Sequence, residues 1–130
     1  MRLFDASAIV NLTKKGKLKV FLNGATLDLA IYEALNALWK EAKLLKKIDE
    51  KTALEFAEVV SKSIGAMDIL SIKDFEKDIF EFACKNNLTI YDASYVYIAI
   101  KNDLELVTDD NKLGSVASKY VKEVFKSAEL

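Results

Sequence analysis

The apolar pattern of this chain changes period again and again, and that alternation limits the folds open to it more than any other feature. Short runs with strand character, Arg2-Leu3-Phe4, Gly24 to Leu29, Met67 to Leu70 and Leu104 to Thr108, are separated by longer stretches whose apolar residues recur every three to four positions. Strands that alternate with helices are βαβ units, and right-handed crossovers make their strands parallel. The expected architecture is a three-layer α/β/α sandwich around a mostly parallel sheet of about five strands, with more helix than strand. At 130 residues, without an internal linker, repeat or low-complexity block, the chain reads as a single domain over 1-130.

The helices have their own start and stop signals. Ser7 to Leu12 opens a helix that Lys14-Lys15-Gly16 stops. The helix after Leu29 is expected to run to about Lys46, with Ile31, Leu35, Leu38, Ala42 and Leu45 on its apolar face. Asp49 or Thr52 caps the next, which carries Leu54, Ala57, Val60 and Ile64 and ends at Gly65. Ser71-Ile72-Lys73-Asp74 fits a capping box that opens a helix with Ile72, Phe75, Ile79 and Phe82 on one face, and Asn86-Asn87 fits a left-handed stop. Asp92 is expected to begin a helix that runs to about Lys101. A short helix follows from about Lys112 to Ser118, and Tyr120 to Phe125 alternates as an edge strand.

Absent residue types remove whole classes of chemistry. With no His there is no Ser-His-Asp triad, no Cys-His pair and no His-ligated metal. The single cysteine, Cys84, can form neither an internal disulfide nor a CxxC pair, and reads as a small buried hydrophobe. Four scattered glycines cannot make a GxGxxG or Walker A loop. The N-terminus meets a charge too early for a signal peptide, and no apolar run approaches the ~18 residues of a membrane span, so a cytoplasmic protein with no membrane partner is expected. Carboxylate chemistry with a hard metal remains.

The acidic residues fall where such chemistry needs them. Asp5 follows the first strand and Asp110 the fourth, and strands of a parallel sheet all end on the edge where open α/β sheets bind ligands. Asp92 starts the helix that leads into the fourth strand, so topology alone does not bring it to that edge. Each of these three, taken singly, also reads as a helix N-cap. Glu33 lies early in the helix after the second strand, in a stretch whose other polar side chains are Tyr32 and Asn36; Asn36, three residues on, lies beside it. Carboxylates that converge raise one another's pKa, a conflict that a divalent cation removes, and oxygen ligands select Mg2+ or Mn2+ over zinc. Such clusters serve phosphoryl chemistry. The net charge is −1, so with four carboxylates set aside as ligands the remaining chain is mildly basic and a polyanionic substrate is allowed.

Four stretches together resemble one family. Leu3-Phe4-Asp5-Ala6-Ser7-Ala8, Tyr32 to Leu38, Ile90 to Tyr95 and Leu106 to Leu113 are similar, in order and spacing, to the four motifs of the PIN-domain ribonucleases, and specifically of the VapC-type toxins of toxin–antitoxin pairs. The resemblance covers nearly the whole chain. It implies a PIN fold, a metal-dependent endoribonuclease that uses one or two Mg2+ or Mn2+ ions, an RNA substrate, a homodimer and a small antitoxin protein that blocks the site. Asp5, Glu33, Asp92 and Asp110 carry over as catalytic and metal-binding carboxylates, with Ser7 and Thr108 as supporting hydroxyls and Asn36 and Asp109 as further supporting positions. In this reading Asp5 and Asp92 hold the main metal, with Asp110 close by, and Glu33 binds a second metal or orients the attacking water.

Other features have two readings each. Tyr91, Tyr95 and Tyr97 pack in the core or stack on RNA bases, and core packing outweighs stacking. Lys14, Lys15, Lys17 and Lys19 make the densest basic run, a solvated face or a phosphate contact. The apolar surface from Leu44 to Ile64 serves the core, a dimer interface or a groove for an antitoxin helix. A receiver-type signalling domain is the rival enzyme-like class, but it needs an acidic pair after strand one and an aspartate after strand three, where this chain has a single Asp5 and Ser71. The non-catalytic rival is a PIN-like RNA-binding or scaffold module.

Overall fold

A computed structural model describes all residues, Met1–Leu130. Five strands, β1 (Arg2–Phe4), β2 (Ala25–Leu27), β3 (Asp68–Leu70), β4 (Glu105–Val107) and β5 (Val124–Phe125), form one sheet in the order β3-β2-β1-β4-β5. Every pairing is parallel, with Leu3 opposite Ala25 on one side and Leu106 on the other. Six α-helices connect the strands: α1 (Ala6–Lys14), α2 (Ala30–Trp39), α3 (Glu50–Gly65), α4 (Glu76–Asn86), α5 (Ile90–Lys101) and α6 (Asn111–Ala117). α1, α2 and α3 pack on one another, as do α4 with α5 and α5 with α6. The α/β architecture and its five-stranded parallel sheet are as expected.

Strand β1 is the centre of the molecule. Leu3 and Phe4 are fully buried, flanked by Ala25, Leu27, Leu106 and Val107, none of them accessible to solvent. Thr26 is the polar exception, and its hydroxyl donates to the Phe4 carbonyl at 2.7 Å, so burial leaves it satisfied. The Phe4 ring meets Phe21 edge-on, with centroids 5.1 Å apart. Residue 24 must be glycine for this packing, because a Cβ there would lie 2.8 Å from the Phe4 ring.

Several helix ends follow the local chemistry. Asp49 caps α3 through the Thr52 N–H at 2.7 Å. Gly16 takes a positive φ of 71° after α1, and Asn87 ends α4 in the left-handed conformation at φ 54°. Others correct the sequence reading. α2 gives way after Trp39 to a wider turn over Lys40–Leu44, where the Leu45 N–H reaches the Lys40 carbonyl at 2.9 Å. That turn leaves Leu44 and Leu45 exposed. Ser71 opens no helix, because Asp74 takes φ 75° and α4 starts only at Glu76. β5 holds two residues rather than the whole run from Tyr120, and Cys84 is exposed on α4 rather than buried. No helix is long and apolar enough to cross a membrane.

Candidate metal-dependent active site

The carboxyl end of β1 turns directly into α1, and Asp5 sits in the turn. It is both a helix cap and a buried acid, only 5% exposed. Its Oδ1 accepts from the Ala8 N–H at 2.9 Å and the Ser7 hydroxyl at 2.7 Å, and its Oδ2 accepts from the Thr108 hydroxyl. The supporting hydroxyls are themselves held. The Ser7 Oγ accepts from the Asp109 N–H at 3.0 Å, and the Thr108 Oγ1 accepts from the Asp110 N–H at 3.1 Å. Burial nonetheless dominates and pushes the Asp5 carboxyl up to about 6, against the downward pull of these donors.

Glu33 reaches the same edge from the first turn of α2. It is half-buried, and its Oε1 accepts from the Tyr95 hydroxyl at 2.9 Å. Burial raises its pKa; the Tyr95 bond opposes this, and the charges of Asp5 and Asp92 add to the rise. Asp92 does not cap α5 as expected. Thr89 is the cap, its Oγ1 accepting from the Asp92 N–H at 3.2 Å, and Asp92 stands inside the first turn. Its carboxylate is therefore not the N-cap acceptor of that helix. Burial and then the Asp110 charge raise its pKa, while Lys112 and the Thr89 hydroxyl pull it down. Asp110 does cap α6, its Oδ1 accepting from the Leu113 N–H at 2.9 Å.

Asp5 and Asp110 follow the carboxyl ends of β1 and β4, and Glu33 and Asp92 stand in the first turns of α2 and α5; the charges of Asp5 and Asp92 bear on Glu33, and that of Asp110 on Asp92. No group of three acidic side chains is gathered tightly enough to grip an ion as the side chains stand. The donor set is all oxygen, the set a hard divalent cation requires, and a cation would relieve the raised pKa values of Asp5, Glu33 and Asp92.

The remaining residues singled out from sequence divide clearly. Asn36 lines an open recess with Tyr32, Glu33 and Tyr91. Asp109 is turned away from the cluster. It accepts from the Asn11 amide at 2.6 Å and from the Ser127 backbone and hydroxyl at 2.8 and 2.6 Å. Those bonds outweigh burial and hold its pKa down. Its side chain pins the C-terminal turn, while its N–H serves Ser7. Tyr95 packs in the core, 1% exposed, yet its hydroxyl orients Glu33. The sequence offered core packing or, less favoured, base stacking, and not this bond; its place three residues after Asp92, hence on the adjoining face of α5, was the available signal. Tyr97 packs against Phe75 and Phe82, whereas Tyr91 is exposed. Of the basic run, Lys14 pairs with Glu41, and Lys17 donates to the Leu130 carbonyl at 2.5 Å. Leu35, Leu38, Trp39, Ala53 and Leu54 line an apolar groove between α2 and α3.

No protein-family profile matches the chain. It is 39% identical over 89 residues to exonuclease VapC9 of Pyrobaculum aerophilum and 40% identical over 90 residues to ribonuclease VapC3 of the same organism, 68% of this chain in each case. It spans 63% and 66% of those two relatives, a little under two thirds of their length. The crystal structure of PAE2754 from Pyrobaculum aerophilum superimposes on 98% of this chain and 84% of its own, with a TM-score of 0.80 at 32% identity. Two further structures share the fold. FitAB bound to an IR36 DNA fragment has a TM-score of 0.65 at 16% identity, covering 100% of this chain and 97% of its own. FitAcB from Neisseria gonorrhoeae has a TM-score of 0.65 at 19% identity, covering both chains entirely at 100%. The sheet order, the acidic edge and these relatives together show that the chain belongs to the VapC family of PIN-domain proteins.

Proposed function

We propose that this protein is a metal-dependent endoribonuclease that hydrolyses RNA phosphodiester bonds, the toxin component of a type II toxin–antitoxin pair. The observation that carries the reading is Asp5: a buried carboxylate held by two hydroxyls and a backbone N–H at the end of the central strand, within electrostatic reach of Glu33. The names of the VapC3 and VapC9 relatives support a nuclease. A small antitoxin, a homodimeric assembly and a cytoplasmic setting belong to the same proposal.

Asp5 and Asp92 would hold the main ion, with Asp110 beside it, and Glu33 would orient the attacking water or hold a second ion. When bound, Mg2+ or Mn2+ supplies Lewis acidity at the scissile phosphate and lowers the pKa of water. The protein does the rest. Ser7 and Thr108 keep the Asp5 oxygens aimed. Tyr95 keeps Glu33 turned toward the edge. Lys112, close enough to stabilise the charged form of Asp92, adds the positive charge that an incoming phosphate needs. No side chain acts as nucleophile, in keeping with a chain that has no His.

One observation favours the second reading, a non-catalytic RNA-binding or scaffold module: the carboxylates do not stand as a ready-made set of ion ligands. Incubating a structured RNA pool with Mn2+ or Mg2+, with and without EDTA, decides between them when wild type is run beside Asp92→Asn. Cutting that needs metal and vanishes in the variant is expected. RNA bound but never cut by folded protein, free of antitoxin, would establish the module instead.

A further inference from the structure

The five tyrosines divide into two sets. Tyr95, Tyr97 and Tyr120 all have partners inside the protein: Glu33 for the first, Phe75 and Phe82 for the second, Phe82 and Asn86 for the third. Tyr32 and Tyr91 have no hydrogen bond and no aromatic neighbour, and the two residues stand 77% and 60% exposed. Yet these two, from different helices, line the same open recess of about 430 Å³, whose other walls are Glu33 and Asn36. Neither ring has a polar or aromatic partner in the fold to account for that place. Both frame a carboxylate of the acidic edge.

We propose that this recess takes one unpaired nucleobase of the RNA strand, stacked on the rings of Tyr32 and Tyr91, with the Asn36 amide on the base edge. The inference rests on the nuclease reading above and deepens it by assigning a base-binding subsite. Aromatic rings bind bases of any sequence through their faces, and only a splayed, single-stranded base offers its face. The Asn36 amide carries both a donor and an acceptor, the pattern that a base edge also presents. The charges agree. No cation lines the recess and Glu33 does, which suits a neutral base and repels a phosphate. Lys112 lies on the Asp92 side of the edge, where the phosphate belongs. The subsite thus selects single strands over duplex, because a paired base keeps its faces inside its own stack.

The test uses a short single-stranded RNA with 2-aminopurine at successive positions. Its fluorescence is followed in EDTA with wild type, Tyr91→Phe, Tyr91→Ala and the Tyr32→Ala/Tyr91→Ala pair, and steady-state cleavage is followed with Mn2+. One position is expected to quench with wild type and Tyr91→Phe, and to recover in the alanine variants. KM for cleavage is expected to rise about tenfold with alanine, with kcat nearly unchanged, since stacking holds the strand without touching the reacting atoms. Both rings are exposed, so thermal melts should match wild type. Unchanged quenching and KM in the double alanine variant would overturn the subsite while leaving the nuclease intact. Loss in Tyr91→Phe equal to that in Tyr91→Ala would also overturn it, because the ring would then not be the binding element. Quenching through the two rings in a protein that never cuts would keep the subsite and remove the nuclease reading.

Discussion

The acidic edge has two unlike halves. On the β1 side, Asp5 is buried, accepts three hydrogen bonds, and is tied through Ser7 and Thr108 to the backbone of Asp109 and Asp110. On the helical side, Glu33 is half-buried with a single donor, and Asp92 stands in the first turn of a helix that Thr89 caps. One half is built by the fold and is held in place before anything binds. The other brings charge to the edge with fewer donors to hold it, Tyr95 at Glu33 and Lys112 near Asp92. Charged groups kept against their own solvation are a common mark of function, and here the cost is concentrated at Asp5.

The contrast is sharpest in Asp5→Asn, where activity and stability should move in opposite directions. Cleavage is expected to fall by on the order of a hundredfold or more, as when a preorganised electrostatic group is removed. Folding should gain. The Asp5 pKa is raised from 3.8 to about 6 in the native protein, so the native state binds the extra proton between those values. Its carboxyl therefore favours folding at low pH, and that contribution is lost as pH rises through the window. At pH 7 the uncharged Asn should stabilise the protein by about 3 kcal/mol, and by pH 4 the difference should shrink to well under about 1 kcal/mol. Thermal melts of both proteins from pH 4 to 8 check this; a variant no more stable at pH 7 would mean that the hydrogen bonds to Asp5 fully offset its burial.

Asp92→Asn should lose comparable activity with a melting temperature within a degree or two of wild type, because Thr89 caps the helix and an Asn can still meet the Thr89 hydroxyl. A large drop in stability would erase the distinction between the halves. Thr108→Ala removes the donor to a buried carboxylate and the acceptor of the Asp110 N–H, and should cost about 1–3 kcal/mol by denaturant titration, with activity falling alongside. Tyr95→Phe keeps the buried ring and removes only the bond to Glu33. Its stability change should be under about 1 kcal/mol, with kcat reduced severalfold and KM unmoved. The smallest effect is expected from Ser127→Ala, which touches the site only through Asp109, Ser7 and then Asp5: a loss of about 1 kcal/mol and activity within twofold.

What the sequence shows and what it hides follow the range of the interactions. The first four strands, the stop at Gly16 and the left-handed Asn87 rest on neighbours a few residues away, and all were legible. So was the order of the acidic residues along the chain. Misreadings arose where two local solutions compete. Ser71 and Thr89 both look like caps or their neighbours, and only the backbone at Asp74 and the Thr89 bond show which residue takes the role. The turn after Trp39 keeps the apolar spacing of a helix while widening it, so periodicity carried on to the end near Leu44 without showing the change of winding at Lys40. The partners of Asp109 could not be read at all, since Asn11 and Ser127 lie 98 and 18 residues away and have no motif in common with it. Tyr95 hides for a different reason: its ring satisfies the core pattern so well that nothing marks the hydroxyl as serving a second purpose.

The sheet order gives the central position to the strand made first, and that has a consequence for synthesis. β2 can join β1 early, but β4 reaches the other side of β1 only after most of the chain exists. The Thr108 hydroxyl that completes the Asp5 cradle lies 103 residues downstream of it. Closing so long a loop is slow compared with local folding, and it cannot begin until both ends are available. A growing chain that has displayed Asp5, Glu33 and Asp92 is therefore still without the brace that aims the first of them. The acidic edge comes together last, and no N-terminal fragment that stops short of β4 contains it.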